Sequence, residues 1–248
     1  MRRRLLLVML LALGAAAAQA GQVQVAVAAN MSAPMQKIAA GFTRATGHEA
    51  VVSLGSTGKF HAQIRSGAPF EVLLAADDET PAKLEQEGLG VGGTRFTYAI
   101  GQLVLWSADA NAVDARGQVL REPPRGKLAI ADPRLAPYGA AAMETLTRLG
   151  VLAAWQPQIV QGENIGQAYQ FAATGNAPLG FVALAQVMAD GRISKGSAWI
   201  VPASLHAPLK QDAIVLKLGA SNPAATALMD YLRSDAARTT LRGFGYTF

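Results

Sequence analysis

Hydroxyl and carboxamide side chains recur in this chain where an apolar run hands over to a helical pattern. Residues 25–29 lead into Asn30-Met31-Ser32, and residues 51–54 into Gly55-Ser56-Thr57-Gly58. Further on, Leu128-Ala129-Ile130 comes shortly before Pro137-Tyr138-Gly139, and Ile159-Val160 before Asn164-Ile165-Gly166. The first turn of a helix has amide N–H groups with no intrahelical acceptor and carries about half a positive charge. Such ends, with hydroxyls and carboxamides beside them, suit a bound anion. A tetrahedral dianion taken out of water must have its hydration replaced, and each of its oxygens accepts several hydrogen bonds. Four helix starts converging on one cleft supply those bonds with no arginine or lysine. Taken singly, Ser, Thr and Asn at such places are ordinary helix caps. Four of them, two in each half of the chain, point to a site.

Other chemistry finds less support. His48, His61 and His206 do not stand at metal-ligand spacing, and with no cysteine a zinc site is not expected. Asp77-Asp78-Glu79, just before Thr80-Pro81, reads as a solvated acidic turn that favours a helix start. Lys59 reads as a solvated helix charge, and Trp106, Trp155 and Trp199 as core or interlobe packing. Gly55-Ser56-Thr57-Gly58 does not match the nucleophile elbow of hydrolases, and no histidine follows in a triad order.

Strand and helix signals alternate almost throughout, which predicts an α/β fold of helices around mainly parallel sheets. Met35, Ile38, Ala39 and Phe42 fall at helical spacing, with Pro34 in the first turn and Gly47 past the last. A second helix carries Phe60 and Ile64; residues 72–75 form a strand, and Thr80-Pro81 starts a helix ending at Gly88. The apolar stretch 96–106 is longer than a usual strand and is expected to pass from one lobe to another. Residues 128–130, 159–160 and 179–182 read as buried strands, and residues 214–218 as another. Asn222-Pro223 and Ser234 are expected to cap two final helices. If those return to the first lobe, that lobe is discontinuous: residues 21–100 with 203–248, against 101–202. The ligand then lies in the interlobe cleft.

The chain opens Met1-Arg2-Arg3-Arg4, continues apolar to Ala18 and reaches Ala18-Gln19-Ala20, the pattern of a cleaved secretory signal over residues 1–20. Of the 22 Lys and Arg, three lie in that segment; the remaining 19 face 17 acidic residues, a net charge of +2. No basic run interleaved with aromatics exists, so nucleic acid is not an expected partner. The absence of cysteine excludes disulfides, cysteine nucleophiles and lipid attachment at the new N-terminus. A freely diffusing periplasmic protein, monomeric, fits these features.

These motifs bring a family into view. The chain resembles the periplasmic molybdate-binding proteins that feed ABC importers, with the two-lobed type II solute-binding fold. The matching segments are Ala28-Ala29-Asn30 with Pro34-Met35, Gly55-Ser56-Thr57-Gly58-Lys59 with Gln63-Ile64, and Gly67-Ala68-Pro69-Phe70-Glu71-Val72 ending in Ala75-Ala76-Asp77. Ala131-Asp132-Pro133 with Pro137-Tyr138-Gly139, and Glu163-Asn164-Ile165 with Ala177-Pro178-Leu179-Gly180, continue the series over essentially the whole chain after residue 20. Carried over position by position, the family's oxyanion contacts fall on Asn30, on Thr57 with Ser56 beside it, and on the backbone amides of Tyr138 and Ile165. Some members have a tyrosine just after the Pro-Leu-Gly segment that also donates to the anion. Ala183 stands there in this chain, and Asn30, where some relatives have serine, is expected to supply the missing bond.

The resemblance implies a binding protein and not an enzyme: molybdate or tungstate is held as an oxyanion, with no direct metal ligand and no cofactor, and passed to an inner-membrane permease. A binder for sulfate or phosphate shares the same physics with a different cage radius. A secreted hydrolase is the alternative from another class. The ligand-sensing domain of a transcription regulator is disfavoured by the secretory signal.

Overall fold

The computed structural model describes residues 20–248, so the expected signal segment lies, but for Ala20, outside the described residues. Strand β1 (Gln22–Ala28) leads through one 3-10 turn into α1 (Ser32–Thr46). Met35, Ile38 and Phe42 bury one face of α1, and Pro34 occupies its first turn, where no N–H is needed. Gly47 ends it in the left-handed region at φ 76°, its N–H bonded to Thr43 O at 2.9 Å. Then come β2 (Glu49–Gly55), α2 (Thr57–Arg65), β3 (Val72–Leu74), α3 (Glu79–Gln86) and β4 (Phe96–Gly101).

The next stretch builds a second sheet. It contains β5 (Leu103–Ser107), β6 (Leu128–Ala131), α4 (Pro137–Arg148), a short α5 (Leu152–Trp155), β7 (Ile159–Gly162), α6 (Ile165–Ala173) and β8 (Leu179–Ala183). One turn of helix, α7 (Leu184–Val187), and a small hairpin of β9 (Met188–Ala189) with β10 (Arg192–Ile193) lead to β11 (Ser197–Ile200). The chain returns through β12 (Leu209–Val215), and α8 (Pro223–Arg233) and α9 (Asp235–Gly243) pack against α1 in the first lobe. Asn222 and Ser234 cap these two helices, their side-chain oxygens accepting from the N–H groups of Ala224 and Ala237.

The first sheet has the order β2-β1-β3-β12-β4 and the second β11-β5-β8-β6-β7. This is the two-lobed α/β fold, with one qualification on strand direction. Each sheet has two parallel ladders and two antiparallel ones. The antiparallel pairs all involve a strand next to a lobe crossing, β5, β11 or β12, because a chain that leaves one lobe enters the other from the opposite end.

Three local readings change. The 96–106 run divides at Gln102, with β4 in the first sheet and β5 in the second. The last strand is β12 at Leu209–Val215, and residues 217–219 form a 3-10 turn. Lys210-Gln211-Asp212 hid its beginning, since polar residues enter a buried strand only when distant partners satisfy them. Residues Ile159 and Val160 are half-buried, because β7 is an edge strand paired with β6 alone.

Candidate functional site

Parallel pairing sets Ala28 opposite Gly55, so the turns that follow β1 and β2 emerge side by side. The start of α4 after β6 and the start of α6 after β7 face them from the second lobe. Together they line a small, half-open hollow with a cavity volume of about 10 Å³, which Asn30, Ser56, Thr57, Tyr138 and Ile165 all border, with Asn164. Each of the five is at most 3 % exposed. Among the described residues, the lining includes no acidic or basic side chain.

The capping explanation holds at one transition and fails at two. Asn164 is a true cap: its Oδ1 accepts from the N–H of Gly166 at 2.9 Å and of Gln167 at 3.1 Å. Ser56 occupies the N-cap position of α2 but makes no cap bond, and its Oγ is buried with no partner among the described residues. Asn30 makes no cap bond either; its Oδ1 is likewise buried and without a partner among the described residues. A buried polar atom left unpaired costs about 1–3 kcal/mol, so two of them at one hollow mark a place built for a guest. Thr57 Oγ1 accepts from the Ala76 N–H at 3.0 Å, which leaves its hydroxyl proton free to donate. The N–H groups of Tyr138 and Ile165, in the first turns of α4 and α6, have no acceptor among the described residues.

Behind Asn30 lies a buried polar network that sequence reasoning missed. Asn30 Nδ2 donates to Gln211 Oε1 at 2.9 Å and to the Tyr246 hydroxyl at 2.8 Å. Gln211 Nε2 donates to the Tyr138 hydroxyl at 3.0 Å, and the Tyr98 hydroxyl lies 2.9 Å from both Gln211 Oε1 and Ala75 O. Burial pushes the hydroxyls of Tyr98 and Tyr138 well above the usual tyrosine range and raises that of Tyr246, so all three stay protonated. A lone Gln in a strand carries no local signal; the inward position of residue 211 in β12 is the one hint the pattern offered.

Two contacts tie the lobes at the cavity's rim. The Gly58 N–H donates to Leu135 O at 2.9 Å, and Lys59 Nζ meets Glu163 Oε2 at 2.7 Å. Lys59 is therefore half of an interlobe ion pair and not merely a solvated helix charge. The acidic turn also differs from expectation. Asp77 is half-buried and accepts from the Thr80 N–H at 2.8 Å; burial raises its carboxyl pKa, against the lowering effect of the Thr80 bonds. It borders a second cavity that adjoins the first at Ala76, Ala136 and Pro137. Ala183 is fully buried at the end of β8, away from the cavity lining. The histidines are apart: His48 Nδ1 accepts from the Gly21 N–H, His61 pairs with Glu87, and His206 contacts the Ala207 carbonyl.

The sequence profile of bacterial extracellular solute-binding proteins matches residues 23–247. The chain is 55 % identical over 232 residues to the molybdate-binding protein ModA of Azotobacter vinelandii, spanning 94 % of this chain and 92 % of that one. It is 51 % identical to the molybdate-binding protein ModA of Rhodobacter capsulatus, over 98 % and 93 % of the two chains. The solved structure of the Azotobacter vinelandii periplasmic molybdate-binding protein superposes with a TM-score of 0.88 at 40 % identity, covering 91 % of this chain and 99 % of that one. A match of this extent settles the kinship, and the chain belongs to the bacterial extracellular solute-binding protein family.

Proposed function

We propose that the chain binds molybdate in this cavity and hands it, in the periplasm, to the inner-membrane permease of an ABC importer. The observation that carries the reading is a hollow bordered from the first lobe by the unpaired Ser56 hydroxyl and from the second by the Tyr138 and Ile165 N–H groups, with no charged side chain in its lining among the described residues. The hydroxyls of Ser56 and Thr57 with Asn30 serve the anion from the first lobe, and the amides of Tyr138 and Ile165 from the second. Fixed neutral donors replace the lost hydration without a counter-charge, so the cage responds to the anion's radius and protonation state more than to charge alone. The named ligand of the relatives narrows the oxyanion to molybdate. Tungstate, of equal charge and nearly equal size, belongs to the same reading.

The lobes, residues 21–100 with 203–248 and residues 101–202, close around the anion, and the closed form is what the importer recognises. No bond of the ligand is made or broken, no cofactor takes part, and the protein acts as a monomer after loss of residues 1–20. Thermal unfolding with molybdate, tungstate, sulfate and phosphate tests the reading. At a hundredfold excess over Kd the folded form gains about 2.7 kcal/mol, a rise in midpoint of roughly 5 to 10 °C for a chain of this size. The first two anions are expected to give it. A rise with sulfate and none with molybdate transfers the site to another oxyanion.

A further inference from the structure

The direction of the Asn30 carboxamide conflicts with a bound dianion. Both observed Nδ2 bonds point into the protein, to Gln211 and Tyr246, and the atom left over is the acceptor Oδ1. An anion brings no proton for that oxygen and is repelled by it. We propose that Asn30 and Gln211 turn over together when the anion binds, with Gln211 as the positioning residue that sets which end of Asn30 meets the cavity. The inference rests on the anion-binding reading above.

The two carboxamides find partners in both directions, and the reversed one gives up only the contact between the Tyr138 and Tyr246 hydroxyls, each of which then donates elsewhere. In the observed arrangement Gln211 Oε1 accepts from Asn30 and from the Tyr98 hydroxyl, while Gln211 Nε2 donates to the Tyr138 hydroxyl. With both carboxamides reversed, Gln211 Nε2 donates to Asn30 Oδ1 and to the Tyr98 hydroxyl, whose own proton goes to Ala75 O, already 2.9 Å away. The Tyr138 hydroxyl then donates to Gln211 Oε1. The Tyr246 hydroxyl, 3.3 Å from Asn30 O and 2.8 Å from the Asn30 carboxamide nitrogen, donates to the reversed Asn30. Asn30 Nδ2 is thereby released to the anion. The three hydroxyls permit this because each donates or accepts by rotating one proton. Turning Asn30 alone sets Oδ1 against Gln211 Oε1, two acceptors with no proton between them, which couples the pair.

The same side chain joins the lobes. Gln211 is fully buried on β12 and reaches Asn30 of the first lobe and Tyr138 of the second. Gly101 leaves the space it needs: an added Cβ there would overlap the Tyr138 hydroxyl and Gln211 Nε2. The titratable groups around Gln211 are Tyr98 from β4, Tyr138 from α4 and Tyr246 near the C-terminus, with the carboxylates of Asp212 on β12 and Asp77 after β3 next beyond them.

Gln211→Glu separates the two directions. Ionised, the introduced carboxyl only accepts, which locks Asn30 with Oδ1 toward the cavity; protonated, it donates to Oδ1 and frees Nδ2. Molybdate titration calorimetry on the full mature chain should show this variant at least tenfold weaker than wild type at pH 9 and closer to wild type at pH 6. A variant-to-wild-type ratio that stays constant between those pH values overturns the proposal. Side-chain carboxamide NMR of the wild type supplies a check that needs no variant: molybdate should shift the Asn30 and Gln211 signals together, and movement of Asn30 alone refutes the coupling. Wild-type protein that binds no molybdate defeats the functional reading instead. The coupling is then decided without anion, by whether the Asn30 carboxamide signals titrate with the carboxyl in Gln211→Glu; unchanged signals refute it.

Discussion

The two lobes serve one cavity by different chemistry. The first presents side chains on the short turns after β1 and β2: the Asn30 carboxamide and the Ser56 and Thr57 hydroxyls. The second presents main-chain N–H groups at the starts of α4 and α6, while the Tyr138 hydroxyl is engaged by Gln211 behind the site. A side-chain donor is removed by one substitution. A main-chain donor can only be displaced, so its integrity depends on residues that hold the helix start in place.

The largest effect is therefore expected where a helix start is pushed away. A Cβ on Gly139 would overlap the Ala131 carbonyl, so Gly139→Val must shift the first turn of α4 and the Tyr138 amide with it. Molybdate affinity should fall at least a hundredfold in calorimetry, and overpacking should cost about 1–3 kcal/mol in denaturant unfolding. Wild-type affinity in that variant breaks the comparison, because the second lobe would then not donate through α4.

Thr57→Val tests the side-chain half with volume kept. Loss of one donor should weaken molybdate binding about tenfold, or about 1.4 kcal/mol. The Ala76 N–H loses its acceptor as well, so the ligand-free protein should lose roughly 1 kcal/mol while remaining folded. Unchanged affinity removes Thr57 from the donors and leaves the first lobe to Ser56 and Asn30.

Lys59→Ala should do least. The side chains of Lys59 and Glu163 are 42 % and 65 % exposed, and exposed pairs contribute at most about 1 kcal/mol. Affinity should fall less than about threefold, and the difference should shrink as salt rises. A larger, salt-resistant loss measured across a salt series would move weight from the cavity donors to the contacts that hold the lobes shut.

Much of the framework was legible because its causes are local. Asn164, Asn222 and Ser234 cap their helices through amides two or three residues away, a distance at which sequence and geometry coincide. Asn30 and Ser56 were legible as site candidates from their place after apolar strands, though not as uncapped and unpaired. The start of β12 was not, because Asp212 sits in a strand only by virtue of Arg95 at 2.7 Å and Thr97 at 2.6 Å, more than a hundred positions earlier. Nor was the ion pair of Lys59, whose partner belongs to the other lobe.

By itself the sequence determined the main strands and helices that carry the site, the caps at Asn164, Asn222 and Ser234 and the turns from which donors emerge, since periodicity and short-range hydrogen bonds control these; strand β11 and the β9–β10 hairpin it did not show. Tertiary structure alone decided the polarity of the site: which end of Asn30 faces the hollow, which proton of Thr57 is left to give, and which residue stands behind them. Gln211 reaches Asn30 across 181 positions, and Tyr246 reaches Asn30 across 216. A hydrogen bond's direction is set by where its partner's atoms lie, and no pattern of neighbouring residues contains that.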